Sequence, residues 1–151
     1  MKKLPLALLM FLFTFNSIES NAQQTSSNNT TNFYGGSYDD FLREARKQDK
    51  VAILDFWASW CAPCKKMDKE TFANAELAKH LNEKFLIYKV NVDTFDGMEI
   101  ANRFGVESFP TVITLDSHGR FIDELKGFFA ANHLTEKLNQ SSEQPQTYVS
   151  L

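Results

Sequence analysis

The stretch Val51 to Phe72, VAILDFWASWCAPCKKMDKETF, limits what this chain can fold into more than any other. A run of Val, Ala, Ile, Leu, Phe and Trp reads as a strand buried on both faces, as in a parallel sheet. It ends at Trp57, three residues turn the chain, and Cys61 and Cys64, the only two cysteines present, open a helix. Residues three apart on a helix share a face with Cβ atoms about 5 to 6 Å apart, so a little tightening reaches the roughly 3.8 Å a disulfide requires. A helix starting near Cys61 sets that sulfur against unpaired backbone N–H groups and the positive end of the macrodipole, which favour thiolate over thiol. Cys64 lies one turn further in and gains less. Pro63 falls in the first turn, where its missing N–H would have had no partner. Asp55 is the anomaly, because a carboxylate in the middle of such a strand is costly to bury and needs a reason.

Other uses of the cysteine pair fit less well. A structural disulfide closing a four-residue loop removes only about 2 kcal/mol of unfolded-state entropy, against about 3 for a fifteen-residue loop. A zinc site needs two more ligands, and only His80, His118 and His133 are on offer, scattered and best read as surface residues. No metal and no cofactor is expected.

The segment DFWASWCAPCK resembles the active-site segment of the thioredoxin family, and SFPT at Ser108 to Thr111 resembles the family's cis-proline segment at about the expected distance downstream. Gly127 matches the glycine that lines the family's substrate groove. The similarity covers roughly Ser37 to Leu138, and the combined motifs are far more specific than a lone CxxC. The resemblance implies an α/β thioredoxin fold, a central mixed β-sheet flanked by helices. It implies that Cys61 attacks and Cys64 resolves, with Trp60, Ala62, Pro63, Phe109, Pro110 in cis and Gly127 forming the substrate surface. For Asp55 it implies a carboxyl beneath the inner sulfur whose pKa burial raises, able to exchange the proton of Cys64 near neutral pH; the competing reading is a strand-end carboxylate reaching water. Two departures stand out. Ala-Pro separates the cysteines where cytosolic thioredoxins have Gly-Pro, and KETFANAEL suggests that the active-site helix breaks near Phe72. The break resembles secreted thioredoxin-like proteins and the periplasmic reducing domain of bacterial transmembrane thiol carriers.

Along the rest of the chain, residues 1–22 read as a secretory signal: Lys2 and Lys3, an apolar run from Leu4 to Phe15 too short to cross a bilayer of about 30 Å hydrocarbon, then a small-residue cleavage site at Ala22. Residues 23–36 read as a flexible linker, rich in Gln, Ser, Thr and Asn. The domain is expected over 37–140 and a disordered polar tail over 141–151. Ser37, with Asp40 three residues on, caps a helix to about Gln48. Asn74 caps a second helical piece to about Glu83. Phe85 to Val92 is an apolar strand, and Asp96 to Phe104 a short helix stopped by Gly105 in a left-handed cap. Pro110 to Leu115 and Arg120 to Leu125 form a hairpin around Asp116 to Gly119, and Asn132 to about Asn139 is the closing helix. Trp57 and the phenylalanines, among them Phe56, Phe72, Phe85 and Phe104, are expected in the core, and Trp60 at the groove.

A formal net charge of −3 without a basic stripe argues against nucleic acid as a partner. Lys65, Lys66 and Lys69 alternate with Asp68 and Glu70, the pattern of a solvated helix face. The expectation is a monomeric, secreted or periplasmic thiol-disulfide oxidoreductase that reduces disulfide-containing protein substrates and is kept reduced by a membrane thiol donor. The contrasting reading is a redox-silent binding module that uses the groove alone. A reductant for cytochrome c maturation is a narrower reading, and the short connection from Val92 to Asp96 leaves no room for the insertion usual in that group.

Overall fold

Alternation along one strand sorts the core into two layers. A computed structural model describes residues 30–143 of the chain; residues 1–22, read as a secretory signal, residues 23–29 of the expected linker and residues 144–151 of the expected tail lie outside them. In β1 (Val51–Trp57), Ala52, Leu54 and Phe56 enter a core with Phe41, Ala45, Ile100 and Ile113. Ile53 enters the opposite one with Met67, Phe72, Leu77, Leu81 and Leu134. Asp55 and Trp57 follow Ile53 at the strand's period of two and so point to that second side.

The elements appear in chain order as α1 (Tyr38–Gln48), β1, α2 (Ala62–Met67), a π-helical turn (Asp68–Phe72), α3 (Ala75–Lys84), β2 (Phe85–Asn91), α4 (Phe95–Phe104), β3 (Thr111–Leu115), β4 (Phe121–Lys126) and α5 (Ala131–Glu143). The sheet order is β2-β1-β3-β4. β1 pairs parallel with β2 and antiparallel with β3, which pairs antiparallel with β4, so the sheet is mixed. Capping follows the sequence. The Ser37 side chain accepts from the Asp40 N–H, the Asn74 side chain from the Leu77 N–H, and Gly105 closes α4 at φ 66°. The helix after the cysteines does change at Asp68, by one π turn before α3 restarts at Ala75.

Two expected boundaries need correction. Residues 30–36, read as the end of a flexible linker, are docked on the domain: Phe33 forms a parallel bridge with Ile87 at the open edge of β2, and the buried Thr31 donates its hydroxyl to the Phe72 carbonyl at 2.7 Å. Polar composition hid this because only Phe33 and Tyr34 carry the packing. At the other end α5 continues through Ser141 to Glu143, past the expected start of a disordered tail. Ser141 is buried because its hydroxyl donates to the Asp123 carboxylate at 2.8 Å and to the Lys137 carbonyl at 3.0 Å. A third expectation shifts at His80, read as a surface residue: its ring packs against Phe85 at 5.6 Å and its Nε2 is buried.

Candidate active site

Where β1 runs out, the chain must turn within a few residues into α2, and two main-chain bonds fix that turn. The Val92 N–H donates to the Trp57 carbonyl at 3.0 Å and the Cys61 N–H to the Ala58 carbonyl at 3.1 Å. Cys61 then becomes the N-cap of α2, with Pro63 in its first turn. Cys61 and Cys64 form a disulfide with Cα atoms 5.3 Å apart. The Cys61 sulfur also accepts the Cys64 backbone N–H at 3.2 Å, the position a capping oxygen would occupy. Both cysteines are nearly inaccessible, at 4 % and 3 % exposure. The asymmetry between them therefore lies in the hydrogen bond and the helix start that Cys61 alone receives, more than in shelter.

Asp55 is 2 % exposed and does not reach water. Its backbone register partner across the parallel pair is Lys89 on β2, whose ammonium stands 3.5 Å from the carboxylate. Burial pushes the Asp55 carboxyl up to about 7; Lys89 opposes the rise and Asp68 adds to it. Asp68 is the other partner of the same ammonium, through a hydrogen-bonded ion pair. Asp68 follows Cys64 by four residues, so it lies on the same side of the helix one turn on. Lys89 thus bridges a buried carboxyl on β1 and a partly exposed one on the π turn that continues α2. Loss of either partner would leave it with the other.

Around the disulfide the surface is apolar. Trp60 is 69 % exposed and meets Phe109 edge to face at 5.9 Å. The Phe109–Pro110 peptide is cis, and the Pro110 carbonyl accepts the Gly127 N–H at 2.8 Å, with Gly127 at φ 92°. A left-handed φ of this kind favours glycine. Ala62 and Pro63 are exposed on the first turn of α2. Trp57 is only partly buried, against the cluster of Ala58, Cys61 and Cys64. Asp93 accepts the Ser59 N–H at 2.6 Å, and that bond, with a further one from Trp60, holds its carboxyl below the usual range. It fastens the loop carrying Trp60 to the turn after β2.

The model of the thioredoxin-like domain family matches residues 38–142. The chain belongs to the thioredoxin family. A thioredoxin from Chlorobaculum tepidum, thioredoxin 2, is 32 % identical over 108 residues, 72 % of this chain and 94 % of that protein. The oxidised C-terminal domain of DsbD from Neisseria meningitidis superposes with a TM-score of 0.59 at 28 % identity, covering 68 % of this chain and 91 % of that one. A thioredoxin from Thermus thermophilus, 22 % identical, shares the fold with a TM-score of 0.67 over 76 % of this chain and 88 % of its own. Thioredoxin-family membership together with the intact Cys61–Cys64 pair supports thiol-disulfide oxidoreductase activity in general.

Of the residues that the sequence singles out, Cys61, Cys64, Trp60, Ala62, Pro63, Phe109, Pro110 and Gly127 gather at one end of the sheet around this thioredoxin-type disulfide, and Asp55 lies in the strand that leads to it. Lys89, Asp68 and Asp93 belong to the same site and were not anticipated. A cation inside the apolar run FLIYKVN is as anomalous as Asp55 inside VAILDFW, and that shared anomaly was the available signal for Lys89.

Proposed function

We propose that this protein is a secreted or periplasmic protein-disulfide reductase. The observation that carries the reading is a disulfide capping α2 beside a cis-proline and an exposed Trp60, with a carboxyl buried on the strand below. In the reduced protein the Cys61 thiolate attacks one sulfur of a substrate disulfide. A bond forms between Cys61 and the substrate, and the other substrate sulfur leaves as a thiolate that takes a proton from water. Asp55 accepts the Cys64 proton, Cys64 attacks the Cys61 sulfur, and the bond between Cys61 and the substrate breaks. The second substrate sulfur departs as a thiolate that takes a proton from water, while Asp55 gives up the Cys64 proton to water in turn. The substrate gains two electrons and two protons, and Cys61–Cys64 is oxidised. No cofactor takes part. Near neutral pH a carboxyl whose pKa is about 7 is divided between its two forms, which suits a group that must both take and release a proton.

Export is supported by the charged and apolar pattern of residues 1–22. A membrane thiol carrier is the proposed electron donor, by analogy with the DsbD domain this chain resembles. The substrates are folded or misfolded proteins with accessible disulfides, bound over the apolar surface of Trp60, Phe109 and Pro110. Reduction of insulin disulfides, followed by turbidity, tests the activity. The wild-type protein accelerates it, and absence of any acceleration leaves the groove as a binding surface only.

A further inference from the structure

Lys89 is enclosed by three aromatic rings. Its ammonium lies 5.0 Å from the centroid of Phe33, 5.1 Å from that of Trp57 and 5.9 Å from that of Phe72, distances at which a ring face attracts a cation. Trp57 belongs to β1 and Phe72 to the π turn. Phe33 comes from the short strap of residues 30–36, a single bridged residue rather than a strand, and meets Phe72 edge to face at 5.4 Å. The strap is pinned at three elements: the Tyr34 N–H donates to the Ile87 carbonyl at 2.7 Å, Thr31 to the Phe72 carbonyl, and the Asn32 N–H to the Asn82 side chain at 2.8 Å. These bonds bring Phe33 onto the ammonium that, among the described residues, faces Asp55.

We propose that Phe33 is a positioning residue for the proton step at Cys64: its ring closes the enclosure that holds the Lys89 ammonium in its bridge between Asp68 and Asp55, within 3.5 Å of Asp55, instead of letting it turn outward to Asp68 and water alone. The inference rests on Asp55 as the proton carrier. The charged groups facing Asp55 among the described residues are Lys89 from β2 and Asp68 from the π turn; its partner on β3 is Val112, and the strap's titratable residue, Tyr34, packs in the opposite core layer. Lys89 has two carboxylate partners, one buried and one 40 % exposed. Without a ring on its strap side the ammonium gains solvation by turning outward with Asp68, the partner it already holds, and Asp55 loses its counter-charge while staying buried. Its proton is then held more tightly and Cys64 is served over a higher pH range.

The test is the titration of Asp55 in the oxidised full-length protein, followed by NMR of carboxyl-labelled aspartate, so that no thiol titrates and no turnover is needed. Failure of Asp55 as the proton carrier would appear in resolution kinetics, and failure of the Phe33 role in this midpoint. Phe33→Leu keeps an apolar cover and removes the ring; Phe33→Tyr keeps the ring. The expected result is an upward midpoint shift of about half a pH unit for Phe33→Leu, equivalent to about a threefold tighter proton, and none for Phe33→Tyr. In a Lys89→Met background Phe33→Leu adds no shift. An unmoved midpoint in Phe33→Leu, the same shift in the absence of Lys89, or a Tyr variant that behaves like Leu would each overturn the proposal.

Discussion

Asp55 gives up solvation to sit in the strand, and the cation beside it, Lys89, is shared with Asp68. Its proton is bound more tightly in the folded state, at about 7, than at the ordinary 3.8. The stability linked to that proton is therefore fully present below about pH 4 and is lost as pH rises through about 7. A shift of about three units corresponds to about 4 kcal/mol as an upper figure. Asp55→Asn should accordingly be more stable than wild type by about 2 to 4 kcal/mol at pH 8 and by little at pH 4, read from urea midpoints of the oxidised proteins. Equal gains at both pH values would contradict a buried, titrating carboxyl. In single-turnover kinetics near neutral pH the same variant should leave the attack by Cys61 almost unchanged and slow resolution by Cys64 at least tenfold, a loss in the range general-base catalysis supplies. Cys64→Ser should accumulate mixed disulfides with protein substrates because the second exchange has no nucleophile. Cys61→Ser should trap few, and comparable trapping by the two variants would reverse the assigned order.

Among the elements, the turn from β2 into α4 shows how tightly the site is framed. A Cβ on Gly97 would stand 1.9 Å from the Asn91 carbonyl oxygen, so α4 can start so close to β2 only with glycine there. Gly97→Ala should cost about 1 to 3 kcal/mol, the usual range for forced overpacking. It should also slow disulfide reduction, because the displaced turn carries Asp93, which holds the Ser59 N–H. Unchanged stability in a denaturant titration would show that the turn absorbs the extra methyl. β1, the capped helices and the hairpin were legible because each is written locally, in an apolar run, a Ser37 or Asn74 cap, or Gly119 in a tight turn. The cysteine spacing was legible for the same reason. The Lys89 bridge was not, since it depends on the register that pairs Asp55 with Lys89 across 34 residues of chain. The strap escaped notice because one bridged residue leaves no alternating pattern, and α5 was cut short because the Ser141 hydroxyl finds its acceptor, Asp123, on a distant strand.

At the scale of the whole molecule, a mixed sheet with helices on both faces delivers Cys61, Trp60, the cis-proline and Gly127 to one end of β1. The π turn sets Asp68 beside the lysine that serves Asp55. What the fold does with this disulfide depends on its potential. Proteins of this kind range from about −270 mV to about −120 mV, a span of about 7 kcal/mol for two electrons. Between Cys61 and Cys64 there is only Ala62 and Pro63, with no histidine to stabilise the thiolate, and on that ground the proposed reductase is expected to have a potential on the reducing side. The direct test is the equilibrium potential of the Cys61–Cys64 pair against a series of glutathione buffers: a reductase gives a value below about −220 mV, and a value near −120 mV would make the protein an oxidase and contradict the account.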